Sequence, residues 1–164
     1  KGKRCDRLVC LCDLMATLAE LLEIPLGESE GVDSVSNLSL WLHPESGEVR
    51  EDLVHQSIDG SLSIRVGNYK LELCPGSGGW SAPKPGEEPV DAPRFQLYDL
   101  SQDIGERVNV IDAHPDIARA LRRRLKGYVL TGRSTQGPAQ KNTDGEAWST
   151  VSWLLETDEQ LFPY

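Results

Sequence analysis

The stretch from Tyr69 to Ser81, Tyr-Lys-Leu-Glu-Leu-Cys-Pro-Gly-Ser-Gly-Gly-Trp-Ser, holds more residues able to act on a ligand than any other part of this chain. Gly76, Gly78 and Gly79 lack Cβ atoms and reach positive φ, so the loop can fold its backbone N–H groups into a nest for an anion, with the Ser77 and Ser81 hydroxyls beside them. The same composition also marks an ordinary surface turn. Cys74, next to the glycines, is the candidate thiol nucleophile. A cysteine-dependent enzyme would need His55 within reach of that thiol and a strongly depressed thiol pKa. His55 lies in Val54-His-Gln-Ser57, where a strand would point it the same way as Ser57. It reads either as a half-buried ring with a backbone partner or as a polar group beside the glycine loop.

Other chemistry-bearing patterns are incomplete. The glycine loop lacks the Gly-Lys-Ser/Thr ending of a P-loop, and no Gly-x-Ser-x-Gly elbow occurs. Asp99, Asp103 and Glu106 cluster without the spacing of an EF-hand, which points to turn and helix-entry roles. Of the four cysteines, only Cys10 and Cys12 are close, and His43, His55 and His114 stand singly, so no zinc ligand set forms. Cys10 and Cys12 share one face of an apparent strand and read as core thiols. The even count permits a disulfide without demonstrating one. Arg119, Arg122, Arg123, Arg124 and Lys126 crowd the later half of a helix, where they complement its carboxyl end; they read as a solvated basic face, with a phosphate or sulfate groove as the alternative.

The elements that must position these groups follow from periodicity. Residues 7–12 form an apolar run expected to be a strand buried on both faces. Asp13 follows as N-cap of a helix, with Leu14, Leu18, Leu21 and Leu22 on one stripe and Pro25 beyond its end. The rest of the chain offers antiparallel-looking strands, so this opening strand is expected to belong to a sheet outside the chain. A short helix is expected over residues 36–42. Strands follow over residues 52–58, 62–66, 69–73 and 95–99, with Gly67-Asn68 as the hairpin turn between the second and third. Pro115 opens a long helix whose stripe is Ile117, Leu121, Leu125 and Tyr128. From Gly132 the chain is expected to be an irregular tail carrying Trp148, Trp153 and Phe162.

At 164 residues, 38% hydrophobic and 26% charged, with no apolar run of membrane-spanning length, the chain reads as one soluble globular domain with ragged ends. Its net charge of -9 argues against a general nucleic-acid binder.

In combination, residues 5–21, 61–71 and 74–81, the run Phe95-Gln-Leu-Tyr-Asp-Leu100 with Glu106 and Asn109, and residues 132–137 resemble the carboxy-terminal part of type I sulfatases. Their order makes the match specific. Ala16 stands where many relatives have proline before threonine. The resemblance implies an α+β fold: a small, about four-stranded antiparallel sheet packed against a long C-terminal helix, preceded by a strand-helix remnant of the large α/β sulfatase domain. Residues 1–44 would be that remnant and its connection, 45–131 the sheet-plus-helix domain, and 132–164 an irregular tail. It also implies a sulfuric ester hydrolase that uses formylglycine and calcium, neither of which this chain would supply. No Cys-x-Pro-x-Arg or Ser-x-Pro-x-Arg occurs, so the chain alone is expected to be inert. Its partner would be the missing N-terminal catalytic domain, and through the parent a sulfated small molecule or glycan. The resemblance places the glycine loop at the mouth of the sulfate pocket, making His55, Ser57, Ser77, Gly78, Gly79, Trp80 and Ser81 substrate-facing, with Trp80 stacking on a sugar or aryl ring. The competing reading is a stand-alone module that binds an anion or sulfated glycan.

Overall fold

The structure, a computed structural model, describes residues 2–141 and 149–158. The chain divides into two compact units, one from Lys1–Leu53 with Tyr128–Thr143, the other from Val54–Gly127 with Asp144–Tyr164.

In the first unit, a 3-10 turn over Leu11–Asp13 leads into helix α1, Leu14–Leu21, and a short helix α2 spans Leu38–Leu42. The strand expected over residues 7–12 does not form. Residues 8–10 take no regular structure, Val9 is half exposed and Leu11 is 84% exposed. A strand needs a neighbour to satisfy its backbone, and among the described residues none pairs with this one. The helix behind it is as expected in position, but its apolar stripe, Leu14, Leu18, Leu21 and Leu22, is exposed. Only Thr17 of α1 is buried.

This unit is held instead by polar contacts centred on Asp13, which is fully buried. The Cys10 and Val35 N–H groups donate to its carboxylate at 2.8 and 3.0 Å, and Asn37 Nδ2 does so at 3.3 Å. Arg50 Nη2 completes the set and also donates to the Asp33 carbonyl. Thr17 Oγ1 donates back to the Asp13 carbonyl at 2.6 Å and accepts from Asn37 N–H at 2.9 Å. Asp13 is therefore a buried anchor for the connection between α1 and α2, whereas the sequence suggests only an N-cap. Ala16 N–H donates to Ser34 Oγ at 2.9 Å, a bond that proline at this position could not make.

Strands β1, Asp52–Gln56, β2, Leu62–Val66, β3, Tyr69–Glu72, and β4, Gln96–Asp99, form one four-stranded sheet in that order. β2–β3 and β3–β4 are antiparallel, with Ile64 opposite Leu71 and Leu71 opposite Leu97. These three side chains are fully buried and make one apolar face of the sheet. Each contributes about 1.5–3 kcal/mol of burial. Gly67, at φ 55°, makes the tight turn between β2 and β3 that its sequence suggests.

Helix α3, Pro115–Thr131, begins at its proline as expected and buries Ala118, Leu121, Arg122 and Leu125. Ile117 and Tyr128 are only half-buried. Arg122 departs from the expected solvated face: its side chain is 3% exposed, and its guanidinium donates to Asp158 at 2.5 Å and to the Trp153 and Glu156 carbonyls at 2.6 Å each. It thereby fixes a 3-10 segment, Ser149–Leu155, in which Val151, Trp153 and Leu154 are buried. That part of the expected irregular tail is thus ordered core. Trp148 and Phe162 lie outside the described residues.

Candidate functional site

The sheet face opposite Ile64, Leu71 and Leu97 is polar, because strand alternation sends Ser63, Arg65, Lys70, Glu72, Gln96 and Tyr98 to that side. A cleft of about 230 Å³ opens over it, lined by residues that include His55, Ser57, Ser63, Lys70, Glu72 and Ser77. Lys70 Nζ sits 2.7 Å from Glu72 and 2.8 Å from Glu106, and all three side chains are at least two-thirds withdrawn from solvent. Burial works against the Lys70 charge, but the bonds to Glu106 and Glu72 outweigh it and its pKa is raised. Burial raises the Glu72 pKa, and Lys70 only partly offsets this. Gln96 Nε2 donates to the Cys74 and Gly76 carbonyls at 3.0 and 2.8 Å, tying the start of the glycine loop to β4.

His55, Ser57 and Ser77 are brought together on this cleft. His55 is exposed on one side, yet desolvation and then the Lys70 charge lower its pKa, so the ring is neutral near pH 7. Ser57 Oγ donates to the Gly78 carbonyl at 2.6 Å, and Asp59 N–H donates to the same oxygen at 3.2 Å. Gly78 is buried with φ 61°, and a Cβ there would lie 3.0 Å from Ser57 Cβ. Glycine is required at this position both by conformation and by space.

Two of the N–H groups that the composition offers for a nest are engaged within the loop. Ser77 N–H donates to the Pro83 carbonyl at 3.2 Å and Gly79 N–H to Ser77 Oγ at 3.1 Å, while Ser77 Oγ donates to the Ser81 carbonyl at 2.7 Å. These donors stabilise the loop itself. Trp80 is 83% exposed and Ser81 is exposed, both outside the lining of the cleft.

Cys74 also lines the cleft, but its thiol donates to the Gly76 carbonyl at 3.2 Å. Burial, followed by the charges of Glu72 and Asp59, pushes its pKa up to about 11. This is the opposite of an activated nucleophile. Of the other thiols, Cys5 and Cys12 are exposed and Cys10 is half-buried, so the expected core pair on residues 10 and 12 is not in the core; all four cysteines are free.

Asp99 and Asp103 take the turn roles expected of them. Asp99 accepts from the Ser101 N–H and hydroxyl, and Asp103 accepts from the Arg107 and Val108 N–H groups. Asn109 Oδ1 accepts from Leu97 N–H at 3.0 Å and so extends the hydrogen bonding of β4. Among the described residues, no group of three or more His, Cys, Asp or Glu side chains could hold a metal ion. No described helix is long and apolar enough to cross a membrane.

The linkage of Lys70 to Glu106, 36 residues apart, was not visible in the sequence, where Glu106 stood among possible turn carboxylates. The period-two placement of Lys70 and Glu72 on one strand face was the available signal.

No family model matches this sequence. Over 124 residues the chain is 33% identical to an N-acetylgalactosamine-6-O-sulfatase of Bacteroides thetaiotaomicron, a match covering 74% of this chain and 23% of that protein. It is 30% identical over 123 residues to the uncharacterized sulfatase PB10D8.02c of Schizosaccharomyces pombe, covering 71% and 20%. A solved structure described under metabolism of multiple glycosaminoglycans by Bacteroides thetaiotaomicron superposes with a TM-score of 0.56 at 33% identity, over 70% of this chain and 24% of that one. Ps i-CgsB, solved in complex with k-i-k-neocarrahexaose, shares the fold alone, with a TM-score of 0.53 at 19% identity over 94% of this chain and 30% of that one. The chain spans about a quarter of the length of the curated relatives it matches. By sequence over some 70% of its length, and by fold, this chain belongs to the sulfatases.

Proposed function

We propose that the chain is the carboxy-terminal domain of a sulfuric ester hydrolase, completing its fold and shaping its substrate cleft, and that it is inert by itself. The observation that carries this reading is the row of exposed apolar side chains along the opening segment and α1: Val9, Leu11, Leu14, Leu18, Leu21 and Leu22. Helix stripes of this kind normally face a core, and a contiguous apolar patch on a surface marks an interaction site. Its occupant in this proposal is the N-terminal catalytic domain of the same protein. That domain would bring the formylglycine and the calcium ligands. The chain contains no Cys-x-Pro-x-Arg or Ser-x-Pro-x-Arg, which supports its inertness.

In the assembled enzyme, His55, Ser57, Ser77, Gly78, Gly79, Trp80 and Ser81 would face the substrate. The clustering of His55, Ser57 and Ser77 on one cleft supports this, as does the exposure of Trp80 three residues beyond Ser77. Since the Bacteroides relative is named for N-acetylgalactosamine 6-sulfate, a sulfated amino sugar is the substrate class to try first.

The test compares this chain with the protein encoded when its reading frame is extended upstream. Sulfate release from N-acetylgalactosamine 6-sulfate is expected from the longer protein and not from the chain. Turnover by the chain alone, or an extended protein that releases no sulfate from amino-sugar and aryl sulfates alike, overturns the proposal.

A further inference from the structure

We infer that the cleft over the polar sheet face binds an uncharged, hydroxyl-bearing sugar ring and excludes the sulfate group itself. The inference deepens the sulfatase reading and rests on it for the identity of the ligand.

The charges at this cleft are already matched. Its one ammonium, Lys70, is bridged between Glu72 and Glu106. Asp59 adds a third carboxylate close enough to act on the Cys74 thiol, while holding Ser61 by its N–H and hydroxyl. Arg65 lies outside the lining and donates its Nε to the Gly67 carbonyl. The lining thus offers no unbridged cation to hold an anion: Lys70 is shared by two carboxylates, while Asp59 acts on Cys74 and Arg65 on His55 from outside the lining. The glycine-loop N–H groups of Ser77 and Gly79 are engaged within the loop, so they add no free donor for an anion.

What remains available is neutral. The side chains of His55, Gln56 and Ser63 line the cleft, and none of them makes a hydrogen bond among the described residues. Hydroxyl, amide and neutral imidazole each offer a donor or an acceptor without charge, which suits ring hydroxyls and an acetamido group. At about 230 Å³ the cleft is smaller than the roughly 300–1,000 Å³ of pockets that take drug-sized ligands, so it suits a single ring.

The test is a titration of the full chain, followed by amide NMR shifts, with unsulfated N-acetylgalactosamine and separately with inorganic sulfate. The sugar is expected to move amides at residues 55–57 and 61–63, and sulfate to leave them in place. Ser63→Ala, and the more exposed Gln56→Ala as a variant that keeps the fold, should each weaken sugar binding roughly three- to tenfold. Sulfate moving the same amides, or sugar affinity unchanged in both variants, overturns the inference. If the extended protein releases sulfate while the cleft ignores the sugar, only this inference fails. If the cleft binds the sugar while the extended protein releases no sulfate, the sulfatase reading fails instead.

Discussion

Asp13 and Arg50 form a buried pair whose side chains are 0% and 5% exposed. Around it, Cys10, Val35 and Asn37 add hydrogen bonds to the same carboxylate. Removing one partner leaves the other charge buried and uncompensated, which costs about 3–5 kcal/mol. Asp13→Ala should therefore lower the denaturant midpoint sharply; a loss under about 1 kcal/mol would mean that the network carries little stability. Cys74 gives a second prediction at this scale. With its pKa pushed up to about 11, the thiolate is scarce at pH 8, and alkylation should be about a hundredfold slower than in the unfolded chain. Peptide mapping after iodoacetamide would read this, and labelling of Cys74 as fast as that of exposed Cys5 would contradict it. Neither residue's state could be read from its neighbours in sequence. Asp13 looked like a helix cap because its immediate context is a helix start, and Arg50, its counter-charge, lies 37 residues away.

At the element scale, alternation and turn chemistry were sufficient for the sheet. The pattern of Leu62, Ile64 and Val66 against Tyr69, Leu71 and Leu73, with Gly67-Asn68 between, predicts the hairpin and its register, because one face had to be buried. The opening strand failed for the complementary reason. Apolar residues without a hydrogen-bonding neighbour do not make a strand, and periodicity carries no information on whether that neighbour exists. The glycine loop shows a third case: its composition identifies a special backbone but not where its N–H groups point. Gly78→Ala tests that backbone. Left-handed φ and the approach to Ser57 together should cost roughly 1–2 kcal/mol and shift the amides of residues 57–59. An unperturbed spectrum would show that the loop has another conformation open to it.

For the whole molecule, the net charge of -9 keeps copies apart, whereas the exposed leucines of α1 favour association. Leu18→Lys with Leu22→Lys should reduce self-association in light scattering while changing stability by less than about 0.5 kcal/mol per site, as for other exposed positions. A loss of about 2 kcal/mol or more per site would place these leucines in the chain's own core and remove the main support for a missing partner domain. The sequence by itself determined the sheet, the start of the long helix and the sulfatase resemblance, because hairpin register, helix period and turn residues are local properties. Only the tertiary structure decided that Asp13 and Arg122 are buried, that Lys70 is bridged by Glu72 and Glu106, and that the α1 stripe is uncovered. Each of these depends on which distant groups come within a few ångströms, and electrostatics and burial are set by that distance, not by position along the chain.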